Sequence, residues 1–450
     1  MMESSLSSFC PKSIRVKNPY LPHYNNHSGW NALLPARTAT TEPQGPRAFD
    51  FIVIGGGFTG LSAARRLAQL APEKSVLILE GSVIGEGSSS RNSGFMSTFP
   101  RSGIAKDPAQ DDLLGRMQIR VYEQGLQWLK QTLQENRIEC DWDEHSGKYN
   151  ASATPAGKAS LLSGIDKNKR LGIDSEVLSQ DQLAQRLGTR YYDFGYYTRN
   201  NVFVQPAAMH RGLADTLPEN VTLLEETFAN RVAGSAGRYT VSTSKGDFSA
   251  GQLVIANNAF ARKLGFLKDR LIAIYTYAGL TPALSDEQAA ALGPARQWGL
   301  LPAHRLGTTL RKVSGNRFMV RSAYSYESER SAAAYTTMLT HYYKRRFPQM
   351  ASHEFEFVWG GTTALTRNGG IFFGKLADGI YGSLGCNGSG VLRGTVNGRL
   401  LAELMLNHQS EELDAVLGLG GPSWLPPEPL RALGVKSAIF YQGIRASAER

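Results

Sequence analysis

Six residues, Gly55-Gly56-Gly57-Phe58-Thr59-Gly60, carry the strongest chemical signal in this chain of 450 residues. A glycine turn between a strand and a helix lets backbone N–H groups approach a pyrophosphate, and the helix N-terminus adds partial positive charge. In that pattern Gly55 permits the tight turn, Gly57 the close approach of the ligand, and Gly60 the packing of helix on strand. Phe58 and Thr59 lie between them at the helix start. Glu80, next to Gly81, stands twenty residues beyond Gly60. A carboxylate there accepts hydrogen bonds from ribose hydroxyls, and its charge disfavours a 2′-phosphate, which argues against NADP.

Two further segments narrow the dinucleotide. After Glu80 the chain runs Gly85-Glu86-Gly87-Ser88-Ser89-Ser90-Arg91-Asn92-Ser93-Gly94-Phe95. These are small residues with one guanidinium, able to follow an extended diphosphate and leave room for a flat ring. Far downstream, Leu384-Gly385-Cys386-Asn387-Gly388-Ser389-Gly390-Val391 precedes a helix expected over 392–406. That second helix N-terminus suits an electron-rich reduced flavin. Together they turn the reading from NAD to FAD.

The elements that must hold these residues are legible around them. Phe49-Asp50-Phe51-Ile52-Val53-Ile54 is an apolar run suited to a buried parallel strand. A helix from Leu61 follows, broken at Pro72, and Ser75-Val76-Leu77-Ile78-Leu79-Glu80 is the second strand of a βαβ opening. The glycine turn therefore has strand, helix and acidic partner in their required order. Helical spacing covers 111–135, 179–187, 209–216 and 328–346. Strand composition marks 190–205, 221–225, 238–243, 253–256, 270–281 and 317–324. The segment 355–412 returns to strand, glycine loop and helix. Residues 1–48 read as an extended arm whose Tyr20, Tyr24 and Trp30 dock onto the body.

Composition removes other classes. Cys10, Cys140 and Cys386 lie far apart without CxxC spacing, so no disulfide framework or metal site is expected, and a reducing, cytoplasmic setting fits. The net charge of +10 is scattered rather than blocked, which favours a basic surface that attracts anionic ligands over nucleic-acid binding. No window approaches the roughly 18 apolar residues of a transmembrane span. Residues 1–19 are too polar for a secretory leader.

With these residues in hand, the chain resembles the D-amino-acid oxidase-like FAD oxidoreductases, most of all their γ-glutamylputrescine oxidase branch, with glycine and sarcosine oxidases more distant. The likeness spans roughly 20–430. It rests on Ile54 to Leu61, the turn Ser90-Arg91-Asn92-Ser93-Gly94, the run Leu253-Val254-Ile255-Ala256-Asn257-Asn258, and the block from Trp359-Gly360-Gly361 to Gly388-Ser389-Gly390. It implies a fold of α/β plus α+β type. A discontinuous Rossmann-type FAD domain would take 49–110, 195–258 and 355–412, and a substrate domain on a mixed or antiparallel sheet would take 111–194 and 259–354, leaving a tail at 413–450. By position, it places Ser90, Arg91, Asn92 and Ser93 near the diphosphate and flavin. Val232 falls at the adenine side, Ala256 and Asn257 along the dinucleotide, and Gly388, Ser389, Gly390 and Val391 at the pyrimidine edge of the ring.

The resemblance also implies the chemistry: hydride transfer from an amine or amino-acid C–N bond to flavin N5, hydrolysis of the imine, and reoxidation by O2 or another acceptor. Asn92 stands where some relatives carry a flavin-linking His, and Thr362-Thr363 where others carry a Cys, so FAD is expected to be non-covalent. The oxygen-activating lysine of sarcosine oxidases has no counterpart in Phe318-Met319-Val320-Arg321, which leaves the acceptor open. Arg311 and Arg321 are candidates to hold a substrate carboxylate. Tyr275 and Tyr277 could form an aromatic wall, Trp359 should lie close to the ring, and His304 reads better as a loop histidine. Oxidation of a 2-hydroxy acid, and a non-catalytic flavoprotein acting in assembly, are the competing readings.

Overall fold

The computed structural model describes residues 22–42, 45–100, 103 and 105–450. Tyr20, Cys10 and the rest of residues 1–21 lie outside them. Two eight-stranded sheets divide the chain.

The first sheet has five parallel strands in the order Ile380–Leu384, Gly246–Ile255, Ala48–Ile54, Val76–Leu79 and Val221–Leu224. Strand Phe372–Ala377 closes one edge antiparallel, and the ribbon Ala229–Ser235 and Arg238–Thr243 folds over from Gly246–Ile255. The apolar runs seen in the sequence are continuous because both faces are covered. Phe51, Val53, Val76 and Ile78 point to a core shared with helices Phe58–Leu70, Pro108–Glu135 and Leu392–Met405. Ile52, Ile54, Leu77 and Leu79 point the other way, onto Tyr239 and Val241 of the ribbon and Phe248 at the start of Gly246–Ile255. In-register pairing of Ile54 with Leu79 and with Ile255 brings Gly55, Glu80 and Ala256 to one edge, at the carboxyl ends of the strands. A crevice at that edge is where open α/β sheets hold ligands.

The second sheet runs Phe357–Leu365, Ile272–Leu280, Arg317–Tyr326, Thr309–Val313, Trp298–Pro302, Lys148–Ser152, Phe194–Thr198 and Glu176–Ser179. It is mixed, since Trp298–Pro302 and Lys148–Ser152 pair parallel and the other neighbours antiparallel. Helix Ala332–Arg346 covers it through Tyr335, Leu339 and Tyr343. Two assignments change here. Residues 195–198 of strand Phe194–Thr198, and strand Phe357–Leu365, which the resemblance put in the cofactor domain, hydrogen bond within the second sheet. The strand-like stretch 190–205 splits, its second half, Asn201–Phe203, pairing with Phe95–Ser97 as a separate ribbon. Composition identified strand but could not say which sheet.

The tail is helical over Leu430–Ala446. Val435 and Ile439 seat it against Tyr324 and Tyr326 of the second sheet.

Candidate active site

Strand Ala48–Ile54 ends at Gly55, whose φ of 108° suits glycine alone. A Cβ on Gly60 would lie 1.9 Å from the Gly55 carbonyl oxygen, so helix and turn close only on glycine. The Glu80 carboxylate accepts from the Gly56 N–H at 2.8 Å and the Ser82 N–H at 2.9 Å. Burial pushes its pKa up, and those backbone donors pull it back down.

A residue missed in the sequence braces the turn. His210 is buried, with Nε2 2.7 Å from the Gly56 carbonyl and Nδ1 2.9 Å from the Ser90 hydroxyl. A carbonyl only accepts, so Nε2 carries the proton and Nδ1 accepts from Ser90. Burial lowers the pKa to about 4, keeping the ring neutral. The Ser90–His210 pairing spans the sequence without a local pattern to announce it.

The Ser90–Gly94 loop is held from behind, carbonyl by carbonyl. Ser28 Oγ donates to Ser90 O at 3.0 Å, Trp359 Nε1 to Arg91 O at 3.2 Å, and Trp30 Nε1 to Asn92 O at 2.8 Å. Arg311 Nη1 donates to Ser93 O at 3.0 Å and to Val204 O at 2.6 Å. Asn92 closes the bend from within, accepting from the Gly94 N–H at 2.8 Å. Gly94 itself has φ 69°, and a Cβ there would lie 2.1 Å from Arg311 Nη1. Tyr24, Ser28 and Trp30 of the arm thus dock on this loop and its surroundings.

These contacts reassign three candidates. Arg311 is 1% exposed and touches backbone carbonyls, not the cavity. Burial lowers its pKa to about 9, which leaves it charged at neutral pH. Trp359 is fully buried behind the same loop. Arg91 borders the cavity, but its guanidinium is bonded within the chain. It binds Glu86 Oε2 at 2.8 Å, Glu86 O at 2.7 Å, Asn26 O at 2.9 Å and Gly360 O at 3.0 Å, and lies 3.8 Å from the Tyr24 ring centre.

One cavity of about 1020 Å³ joins the two sheets. Gly55, Gly57, Phe58, Thr59, Glu80, Gly81, Asn92, Ser93, Ala256 and Asn257 border it, as do Gly388, Ser389, Gly390 and Val391 ahead of the helix Leu392–Met405. Gly60 and Ser90 sit one layer back. Val232 packs into the ribbon core instead, and Phe228 and Ala229, nearer the strand start, reach the cavity. From the second sheet come Lys148, Thr276, Tyr277, Leu301, Arg305, Thr309, Arg321 and Tyr324.

Of the predicted substrate contacts, Arg321 alone meets the cavity with donors left over; its Nη1 donates to the Tyr324 hydroxyl at 2.7 Å. Tyr277 borders the cavity, but its hydroxyl is taken by Ser325 at 2.6 Å and the Arg330 N–H at 2.7 Å, and its ring stacks on Tyr335. Tyr275 is core, edge-on to Tyr24, with its pKa pushed up to about 12 by burial. Tyr324, which the strand pattern did not single out, borders the cavity beside Arg321. His304 serves its own loop, accepting from the Leu306 N–H and meeting Gln442.

The DAO family, described as FAD dependent oxidoreductase, matches residues 50–404. The chain belongs to this family of FAD-dependent oxidoreductases. The γ-glutamylputrescine oxidoreductase of Escherichia coli is 26% identical over 374 residues, covering 82% of this chain and 86% of that protein. A probable oxidoreductase, OrdL, of Haemophilus influenzae is 25% identical over 406 residues, covering 87% and 90%. Among solved structures, glycine oxidase from Geobacillus kaustophilus superposes with TM-score 0.71 at 18% identity, over 81% of this chain and 96% of that one. The L-proline dehydrogenase from P. horikoshii gives 0.65 at 17%, over 82% and 96%.

The residues present fit FAD. The turn admits a diphosphate only because no Cβ fills it, and Asn257 Oδ1, bordering the cavity, is buried without a hydrogen-bond partner. Among the described residues no helix is long and apolar enough to cross a membrane, and no group of three His, Cys, Asp or Glu could hold a metal.

Proposed function

We propose that this chain oxidises the C–N bond of a small amine or amino acid. The observation that carries this is the cavity running from the glycine turn into the second sheet, where Arg305 and Arg321 border it and, among the described residues, pair with no carboxylate. A related E. coli enzyme is named for an amine substrate and a structural neighbour for glycine, which supports the class without naming the substrate.

In this reading the N–H groups at the start of helix Phe58–Leu70 hold the diphosphate, Glu80 and Asn257 take ribose hydroxyls, and Gly388 to Val391 face the pyrimidine edge. Bound FAD supplies the two-electron acceptor for the hydride. Arg321 orients the substrate by its anionic group, which fixes the amine-bearing carbon against the ring. His210, the one histidine on the cavity, is committed to Gly56 and Ser90 and stays neutral. The carboxylate of Glu80 is committed to the turn. The substrate sheet thus offers no carboxylate or imidazole base to the cavity among its described residues, and the amine reacts as its neutral form, deprotonated by solvent before it binds.

The test is anaerobic mixing of the FAD-loaded protein with panels of amines, amino acids and 2-hydroxy acids. Bleaching of the flavin band by amines is the expected result. Bleaching by hydroxy acids alone sinks the reading, and admitting oxygen afterwards shows whether O2 restores the colour.

A further inference from the structure

Lys148 is the first residue of strand Lys148–Ser152 and is 3% exposed, yet it borders the cavity. Its ammonium lies 3.8 Å from the centre of the Phe99 ring and 3.4 Å from Asn150 Oδ1. Among the described residues no carboxylate pairs with it. A buried cation without a counter-ion is costly, by several kcal/mol in effective terms, and such sites persist where a ligand supplies the missing charge.

Its neighbours are short of partners in the same sense. Thr198 stands directly opposite Lys148 across the antiparallel pair, which puts both side chains on one face of the sheet. Thr198 is 1% exposed, and its Oγ1 has no hydrogen-bond partner. Asn201, 3% exposed, has its Oδ1 taken at 2.6 Å by the hydroxyl of Ser97, a cavity-bordering residue, while its Nδ2 is unpartnered. Beside the ammonium, which has only the long contact to Asn150, the Thr198 hydroxyl and the Asn201 amide N–H2 can both donate; the amide of Asn200, between them in the chain, is unpartnered at both ends. Among the described residues the only carboxylate on the cavity is Glu80, at the opposite end and already bonded to Gly56 and Ser82.

We propose that Lys148, with Thr198 and Asn201 behind it, forms an anion subsite at the substrate-sheet end of the cavity that takes a carboxylate. Resting on the amine-oxidation reading, this narrows the substrate to an amine carrying a carboxylate, an amino acid or ω-amino acid, held by an ammonium distinct from Arg321. Burial alone lowers the Lys148 pKa, to about 7. The charged side chains that border the cavity besides Glu80 and Lys148 are Arg91, Arg305, Arg321, Arg367 and Arg393, the last donating to the Phe99 carbonyl at 3.1 Å. All are cations, so a carboxylate that arrives finds no acidic competitor.

The experiment needs no turnover, so it stands apart from the test of amine oxidation. The FAD-loaded protein is titrated with straight-chain monocarboxylates from acetate to hexanoate and with their matching amides, following the perturbation of the flavin spectrum. At pH 6.5 at least one carboxylate is expected to bind about tenfold or more tightly than its amide. In Lys148→Met that ratio falls toward one, and in Lys148→Arg it is retained. Carboxylate affinity in the unaltered protein weakens as pH rises through 7, because the free ammonium is lost. An unchanged ratio in FAD-replete Lys148→Met overturns the proposal. So does loss of FAD from that variant, which would put Lys148 on the cofactor. So does affinity that rises with pH through 7, the opposite sign expected if the neutral amine of Lys148 were the working form.

Discussion

The two ends of the cavity are built on opposite principles. At the glycine-turn end the protein spends its own groups on itself: Glu80 on Gly56 and Ser82, His210 on Gly56 and Ser90, and Ser28, Trp30, Trp359 and Arg311 on the successive carbonyls of residues 90–94. At the substrate-sheet end the polar groups of Lys148 and Thr198, and the donors that Arg321 has left over, find little in the chain to bind. An invariant ligand permits a pre-set cradle whose geometry is paid for in folding. A ligand that comes and goes has to be met by groups kept waiting, and each waiting buried group costs about 1–3 kcal/mol.

That contrast can be broken at either end. The largest effect belongs to Gly60→Val: the Cβ meets the Gly55 carbonyl at 1.9 Å, so the turn must open. FAD should be lost on purification and the unfolding free energy should fall by more than about 4 kcal/mol, read by flavin content and denaturant titration. Arg311→Met comes next. It strips the donor from Ser93, Val204 and Gly94, for a loss of about 1–3 kcal/mol per carbonyl left dry, with weaker FAD retention. A raised KM with FAD retention intact would instead make Arg311 a substrate ligand and blur the two ends.

His210 gives a pH signature. Its folded pKa, about 4, is depressed below the usual 6.5, so the neutral ring's contribution is present above 6.5 and drains away as pH falls toward 4. Unfolding free energy measured from pH 7 to 4 should lose on the order of 3 kcal/mol to this group. His210→Gln should remove that part of the slope. Arg321→Ala sharpens the other end, raising KM about tenfold, or 1.4 kcal/mol, while FAD content stays at the level of the unaltered protein. The smallest change is Trp30→Phe, which deletes the bond to Asn92 O at a cost of about 1 kcal/mol, measured by thermal unfolding of the FAD-loaded form.

Legibility in the sequence followed the same divide. Gly55 to Gly60 and Glu80 could be read because their partners are a turn or one strand away, and local spacing encodes the geometry. Arg311 and Trp359 were seen as notable but given the wrong office, since the carbonyls they bind lie from 107 to 268 residues earlier in the chain. Arg91 looked like a phosphate ligand because Asn26 and Gly360, which consume it, are remote in sequence and unremarkable in type. Lys148 gave no signal at all, because a lysine opening a strand is ordinary until Phe99 and Thr198 enclose it. Strand composition fared similarly: it identified Phe194–Thr198 and Phe357–Leu365 as extended, whereas the choice of sheet depends on partners the pattern does not contain.

The arm that closes on the loop has a consequence for synthesis. Asn26 bonds Val358 and receives Arg91, Trp30 packs edge-on against Trp359, and Arg91 also needs Gly360. Residues 26–30 therefore stay without their seat until the ribosome has delivered those near 360. The loop behind Ser90 is finished late although it is encoded early, and a chain truncated before Phe357 would carry the glycine turn without the clasp that shapes its neighbour.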